Sequence, residues 1–230
     1  MATPDYASES TCFGRLRRAC HDDWQAYVAH PFVAGLADGS LPEAAFRHYL
    51  VQDYLFLIHF ARAYALAVYK SDNLADMRAA AATVTGLLDV EMKLHVGFCA
   101  DWGIGEAEME AAPEAGATMA YTRYVLERGL QGDILDLQAA LAPCVIGYGE
   151  IGARLAADPA TRMDGNPYRA WIEMYAGEEY QEVAAAAITQ LDRLAESRLT
   201  PAREAGLERT FRQATQLEAA FWQMGLDLQA

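Results

Sequence analysis

Four acidic residues, Asp53, Glu91, Glu150 and Glu218, each interrupt what reads as an apolar helical stripe, and one thiol, Cys144, sits on another. A carboxylate on a soluble helix belongs on the outer face. Taken out of water without a partner, it either finds donors or keeps its proton. Several such acids in one chain point to a polar pocket inside a helical bundle. The chemistry open to that pocket is proton transfer by a carboxyl of raised pKa and nucleophilic attack by a cysteine.

Each of these residues also has a plainer reading. Cys144 follows Pro143 and shares a stripe with Tyr148, Ile151 and Leu155. An arbitrary cysteine there is a small buried hydrophobe; at a proline kink, with Tyr148 one turn on as a donor, it reads as a nucleophile. Glu218 has Phe221 and Trp222 at i+3 and i+4, where desolvation would raise its pKa. Its alternative is a rim acid that snorkels to water. Asp53 faces Tyr49 and Phe56, which also suits a structural acid bonded to a tyrosine of a neighbouring helix. Glu91 and His95, at i,i+4, read best as a charge-assisted pair fixing one face, and Glu150 as a solvated neighbour of Arg154. The second half of the chain is rich in aromatics, among them Tyr121, Tyr148, Trp171, Tyr175, Tyr180, Phe221 and Trp222. Aromatic stripes are usually core, but a subset with inward hydroxyls would line a site for a flat polar heterocycle.

The elements that must position these groups are helices. Alanine is abundant, β-branched residues are few and the eight prolines mostly mark segment ends, an all-α balance. The spacing predicts a helix over 12–28, broken at His30-Pro31, then a turn at Asp38-Gly39-Ser40 and a long helix from about Pro42 to Tyr69. A third helix runs from Asp72 or Asn73 to about Trp102, with Val84, Leu87, Leu88, Glu91, Leu94, His95 and Phe98 on its inner line. A short helix or loop covers 103–114, and a fourth helix runs from about Ala115 to Arg128. Gly129 and Gly132 bracket a turn, and Asp133 caps a fifth helix reaching Ala157, kinked near Pro143. Helices over 167–176, 178–197 and 201–228 complete an up-and-down bundle. No composition break marks a linker across the 230 residues, so one domain, 1–230, is expected.

A formal charge of −14 repels phosphate backbones and anionic lipid, so nucleic-acid and membrane partners are not expected. The opening MATPDYASES lacks a signal peptide's basic start and apolar run, and the longest uncharged candidate span, Leu137 to Gly149, is short and contains Pro143. The four cysteines form no CxxC pair, which suits a reduced cytoplasmic setting without structural disulfides. There is no phosphate loop, no GxSxG elbow and no HExxH. A carboxylate-bridged di-iron site needs two Glu-x-x-His motifs, and Glu91 to His95 is one residue too long.

Taken in order, several runs resemble the TenA (thiaminase II) family: His30-Pro31-Phe32-Val33, Asp38-Gly39-Ser40-Leu41-Pro42, Tyr49-Leu50-x-Gln52-Asp53-Tyr54, Glu91-x-x-x-His95 and Tyr121-Thr122. They continue in Pro143-Cys144-x-x-x-Tyr148-x-Glu150-x-Gly152, Asn166-Pro167-Tyr168-x-x-Trp171-Ile172-x-x-Tyr175 and Glu218-x-x-Phe221-Trp222-x-Met224. The resemblance implies a haem-oxygenase-like all-α bundle, usually a homotetramer, that needs no metal or other cofactor. It implies hydrolysis of 4-amino-5-aminomethyl-2-methylpyrimidine to its hydroxymethyl counterpart, and often cleavage of thiamine. By motif, Cys144 would be the nucleophile and Glu218 the acid meeting the pyrimidine ring nitrogen and amino group. Asp53 would contact substrate and help ionise the cysteine. Phe56 (tyrosine in some relatives) and Tyr121 would sandwich the ring, and Tyr148 and Tyr175 would supply hydroxyls. Two alternatives stand beside this: a cofactor-dependent oxidase on the same fold, and a pyrimidine-binding or regulatory protein without turnover.

Overall fold

The computed structural model describes residues 3–229; Met1, Ala2 and Ala230, which fall within the 1–230 range expected for one domain, lie outside the described residues. Among the described residues there are twelve α-helices and one π-helical turn, and no strand. The chain is arranged about α9 (Ile134–Ala157), which packs against α8 (Gly116–Gln131), α10 (Arg169–Ala176), α11 (Glu178–Arg198) and α12 (Pro201–Asp227). Asp133 starts α9 through a reciprocal capping box. Its carboxylate accepts from the N–H groups of Leu135 and Asp136, and the Asp136 carboxylate accepts from the Asp133 N–H. Contrary to the expectation drawn from residues 137–149, α9 is long and apolar enough by composition to cross a membrane. Its most apolar window is nonetheless 78% buried by the other helices, as a central core helix must be.

The second long helix, α4 (Glu43–Lys70), packs on α5 (Leu74–Gly86), α8 and α12. Where α9 meets α10, a Cβ on Gly152 would stand 2.5 Å from the backbone carbonyl carbon of Tyr175. Only the absence of a side chain lets the two backbones approach that closely.

Several expectations are corrected. The first helix is two, α1 (Cys12–Ala19) and α2 (His21–Val28), meeting at Cys20. Arg17 and Arg18 close the first and Asp22 and Asp23 open the second, so the charge reversal suits the two helix ends that meet there. His30-Pro31 does break the pattern, but it also starts a helix, α3 (Pro31–Asp38). Proline sits in the first turn, and the His30 ring nitrogen accepts from the Phe32 N–H. Gly129 lies inside α8 rather than in a turn, because a Cβ there would meet Leu66 and Leu137 within 3 Å.

The third helix consists of α5, capped by Asn73, a π turn over Leu87–Glu91, and α6 (Met92–Ala100). The wide turn shifts the register. Leu88 and Leu94, expected inside, are 46% and 42% exposed, while His95 is buried. A short α7 (Glu106–Ala111) follows.

Candidate active site

Glu218 enters from α12 between the large rings of Phe221 and Trp222 and is 2% exposed, so it does not snorkel to water. Its Oε1 accepts from the Tyr121 hydroxyl of α8 at 2.8 Å, and its carboxyl lies close enough to the thiol of Cys144 on α9 for each to shift the other's titration. Burial pushes Glu218 up to about 8, helped by the charge of Asp53, while the Tyr121 hydrogen bond and the neighbouring thiol pull the other way. At neutral pH it is a protonated acid. Burial also pushes the Cys144 thiol well above its ordinary range, and the charges of Glu218, Asp53 and Glu91 push it further. Asp53, expected to help ionise the sulfur, therefore opposes its ionisation.

Cys144, Glu91 and Tyr180 keep partial accessibility, yet burial dominates the titration of each.

On α4, Asp53 collects a polar network. Its Oδ2 accepts from Tyr49 at 3.1 Å and from His95 Nε2 at 2.6 Å. The other ring nitrogen of His95 donates to the Glu91 carbonyl at 2.9 Å, so both nitrogens face acceptors and the ring is best held as an imidazolium. Burial alone would pull its pKa down; the bond to Asp53 and the charges of Asp53 and Glu91 outweigh this and raise it. The Glu91–His95 side-chain pair is thus replaced by an Asp53–His95 pair. Tyr148, expected beside the thiol, instead hydrogen-bonds the Tyr49 hydroxyl, and Trp171 Nε1 approaches the same oxygen at 3.4 Å.

The Glu91 carboxyl turns inward, with the Tyr175 hydroxyl 3.5 Å away. Glu150 is no solvated neighbour of Arg154. It is buried, gripped by both arms of Arg17 at 2.7 and 3.0 Å and by Trp24 Nε1 at 3.1 Å, while Arg154 bonds the Val28 carbonyl.

The aromatic walls differ from a simple sandwich. Phe56 and Tyr121 touch each other, with centroids 5.0 Å apart and planes tilted by 40°. A heterocycle between two rings needs about 7 Å, twice the contact distance of carbon atoms, so these two form one wall, continued by Phe221. Tyr148, Tyr175, Trp171 and Trp222 form a second cluster. Trp222 Nε1 within it is a buried donor with no acceptor among the described residues.

A cavity of about 270 Å³ opens between α4, α5, α9 and α11, and its lining includes Tyr64 and Val145 but neither Cys144 nor Glu218. Tyr64, itself buried, also stands near Cys144 and Glu91, whose charges act on its hydroxyl.

The structure thus brings Cys144, Glu218 and Tyr121 into direct contact, with Asp53, Phe56, Tyr148 and Tyr175 around them. Tyr27 and Tyr64 were not read as site residues from the sequence, while Tyr49 and Tyr180 stood out as aromatics without an assigned role. Tyr27, whose hydroxyl meets the Pro143 carbonyl at 3.3 Å, lies on a short helix distant in sequence, where no periodicity marks it. Tyr49 carried a signal, standing one turn before Asp53 on the same face.

Residues 17–228 match the model of the TENA/THI-4/PQQC family. The aminopyrimidine aminohydrolase of Halalkalibacterium halodurans is 40% identical over 201 residues, covering 87% of this chain and 89% of that protein. A solved structure from Silicibacter sp. TM1040, described as a TenA family transcription regulator, is 50% identical with a TM-score of 0.88, covering 93% of this chain and 96% of that one. A domain from Shewanella denitrificans with a haem oxygenase-like fold is 16% identical with a TM-score of 0.71, covering 93% and 91% of the two chains. The all-α, haem-oxygenase-like bundle expected from the resemblance is the fold observed, and with the family match running through all but the ends of the sequence, this chain belongs to the TENA/THI-4/PQQC family.

Proposed function

We propose that the protein hydrolyses 4-amino-5-aminomethyl-2-methylpyrimidine to the hydroxymethylpyrimidine and ammonia, and cleaves thiamine to hydroxymethylpyrimidine and thiazole, as a cysteine-based enzyme of thiamine salvage. The observation that carries this reading is the juxtaposition, within the helical core, of Cys144 with a buried Glu218 that is bonded to Tyr121 and flanked by aromatic rings. An aminopyrimidine carbon is a poor electrophile until its ring nitrogen is protonated. Glu218 gives its proton to that nitrogen, and the thiol proton passes to the freed carboxylate as sulfur bonds to the adjacent ring carbon. The electron pair then stored in the ring expels ammonia or thiazole from the exocyclic methylene. Water adds to that carbon, sulfur leaves with its proton restored, and the ring nitrogen returns its proton to Glu218. Such a relay explains how a thiol of raised pKa can act. Its ionisation is coupled to the arrival of a ring that takes Glu218's proton.

The test is incubation with the aminomethylpyrimidine and with thiamine separately, assaying ammonia and free thiazole. The Cys144→Ser variant is expected to lose turnover of both while keeping its helical circular dichroism. Turnover at the wild-type rate would remove the covalent mechanism.

The relative described as a transcription regulator favours a second reading, pyrimidine binding without turnover. Tight binding of hydroxymethylpyrimidine with no ammonia release from the aminomethyl compound would select it. A cytoplasmic setting and a homotetramer belong to the same proposal. Four free cysteines support the first. For the second, Tyr69, Leu74 and Leu130 are 84%, 63% and 65% exposed near the point where Lys70 of α4 bonds the Gly132 carbonyl. Light scattering should return a mass of about 100 kDa, four chains of 25.2 kDa.

A further inference from the structure

The relay above leaves one proton unassigned: the one that water must lose as it adds to the exocyclic methylene. Glu218 is engaged at the ring nitrogen and Asp53 is held by Tyr49 and His95. Glu150 is gripped by Arg17 and Trp24. Among the described residues that leaves Glu91 as the carboxyl facing Cys144, and three observations bear on it. First, it stands at the end of the π turn, and such turns recur at functional sites because the extra residue re-aims side chains. Here the turn leaves Leu88 and Leu94 in solvent while Glu91 points inward. Second, among the described residues its carboxyl has one hydrogen-bond partner, the Tyr175 hydroxyl at 3.5 Å, so it is weakly engaged. Third, it faces Cys144, whose thiol feels its charge. The groups facing it are Asp53 and Tyr64 from α4, His95 from α6, Cys144 from α9, Tyr175 from α10 and Tyr180 from α11.

We infer that Glu91 is a further catalytic residue, the general base that takes the proton of the attacking water and passes it to the departing ammonia. The bookkeeping of atoms closes. The substrate ammonium leaves as ammonia when its C–N bond breaks, and the water oxygen bonds to the methylene. The water proton goes to the Glu91 carboxylate and from there to ammonia, giving ammonium and regenerating the carboxylate; with thiamine, whose thiazole leaves neutral, the same proton passes from Glu91 to bulk water. Burial pushes Glu91 up to about 7, against the pull of His95, which suits a group that must accept and release a proton near neutrality.

This inference rests on the hydrolase reading, and the experiment separates the two. The Glu91→Gln variant is expected to keep its circular dichroism and to bind hydroxymethylpyrimidine within threefold of wild type, with kcat down about 100-fold or more. In Glu91→Ala, sodium azide, an anion that needs no base, should speed the consumption of thiamine at least tenfold and yield the azidomethylpyrimidine. It should leave Cys144→Ser inactive. A Glu91→Gln variant within threefold of wild-type kcat, or a Glu91→Ala variant indifferent to azide, overturns the assignment. Wild-type protein that releases neither ammonia nor thiazole overturns the hydrolase reading and the assignment with it.

Discussion

Between pH 7 and 9 the carboxyl of Glu218 passes through its titration, pushed up to about 8 by burial, and the proton it loses there is the one that would activate the ring. The kcat of the wild-type protein should therefore fall as pH rises through about 8. In Glu218→Gln that alkaline limb should vanish, with kcat lower by about 10²–10⁴-fold. A stability effect of defined sign accompanies it. The folded protein holds this proton more tightly than the unfolded chain, whose carboxyl titrates at its ordinary value of 4.5. The favourable contribution is full below 4.5 and is lost as pH rises toward about 8. Glu218→Gln should thus match the wild type in urea unfolding near pH 4.5 and exceed it at pH 9, by up to ~4–5 kcal/mol. Equal stability at both values would count against burial as the cause. Glu218 was legible because its aromatic neighbours sit three and four residues on along one helix. The partner of His95 was not. Periodicity relates residues one turn apart, and Asp53 reaches His95 from another helix at a distance in sequence that no pattern encodes.

Among the elements, α9 and α10 lie backbone to backbone at Gly152, and α10 carries Tyr175. In Gly152→Ala the new methyl would meet main-chain atoms that cannot rotate away, so α10 must shift. The expected cost is about 1–3 kcal/mol in stability, read by urea unfolding, with a fall in kcat larger than any change in KM as Tyr175 moves. An unaltered protein would mean that α10 has slack the geometry does not show. Helix boundaries were readable where side chains cap them: Asn73 opens α5 and Asp133 opens α9, as their spacing to the following residues required. The π turn and α3 were not readable. A π turn is one residue inserted into a helical pattern that looks continuous on either side, and α3 is hidden behind a His-Pro pair that reads first as a helix break.

Across the molecule, the link from the N-terminal helices to the core runs through Arg17 of α1 and Trp24 of α2, both bonded to Glu150 of α9. Arg17→Met would leave Glu150 buried without its cation and should cost about 3–5 kcal/mol, read as a lower urea midpoint. A double variant with Glu150→Leu should recover much of it. From the sequence alone this acid looked solvated, since its cation comes from the opposite end of the chain. The order of the long helices was legible, but which faces converge was not, because convergence depends on packing between helices.

All four sulfurs, those of Cys12, Cys20, Cys99 and Cys144, are pushed above the ordinary thiol range, chiefly by burial. Electrophiles and peroxide attack the deprotonated form, so a resting molecule built this way offers them almost no target. Under the mechanism proposed, the sulfur of Cys144 would be silent in storage and roused by the ligand it attacks, which would spare the protein the oxidative wear that an always-ionised nucleophile invites.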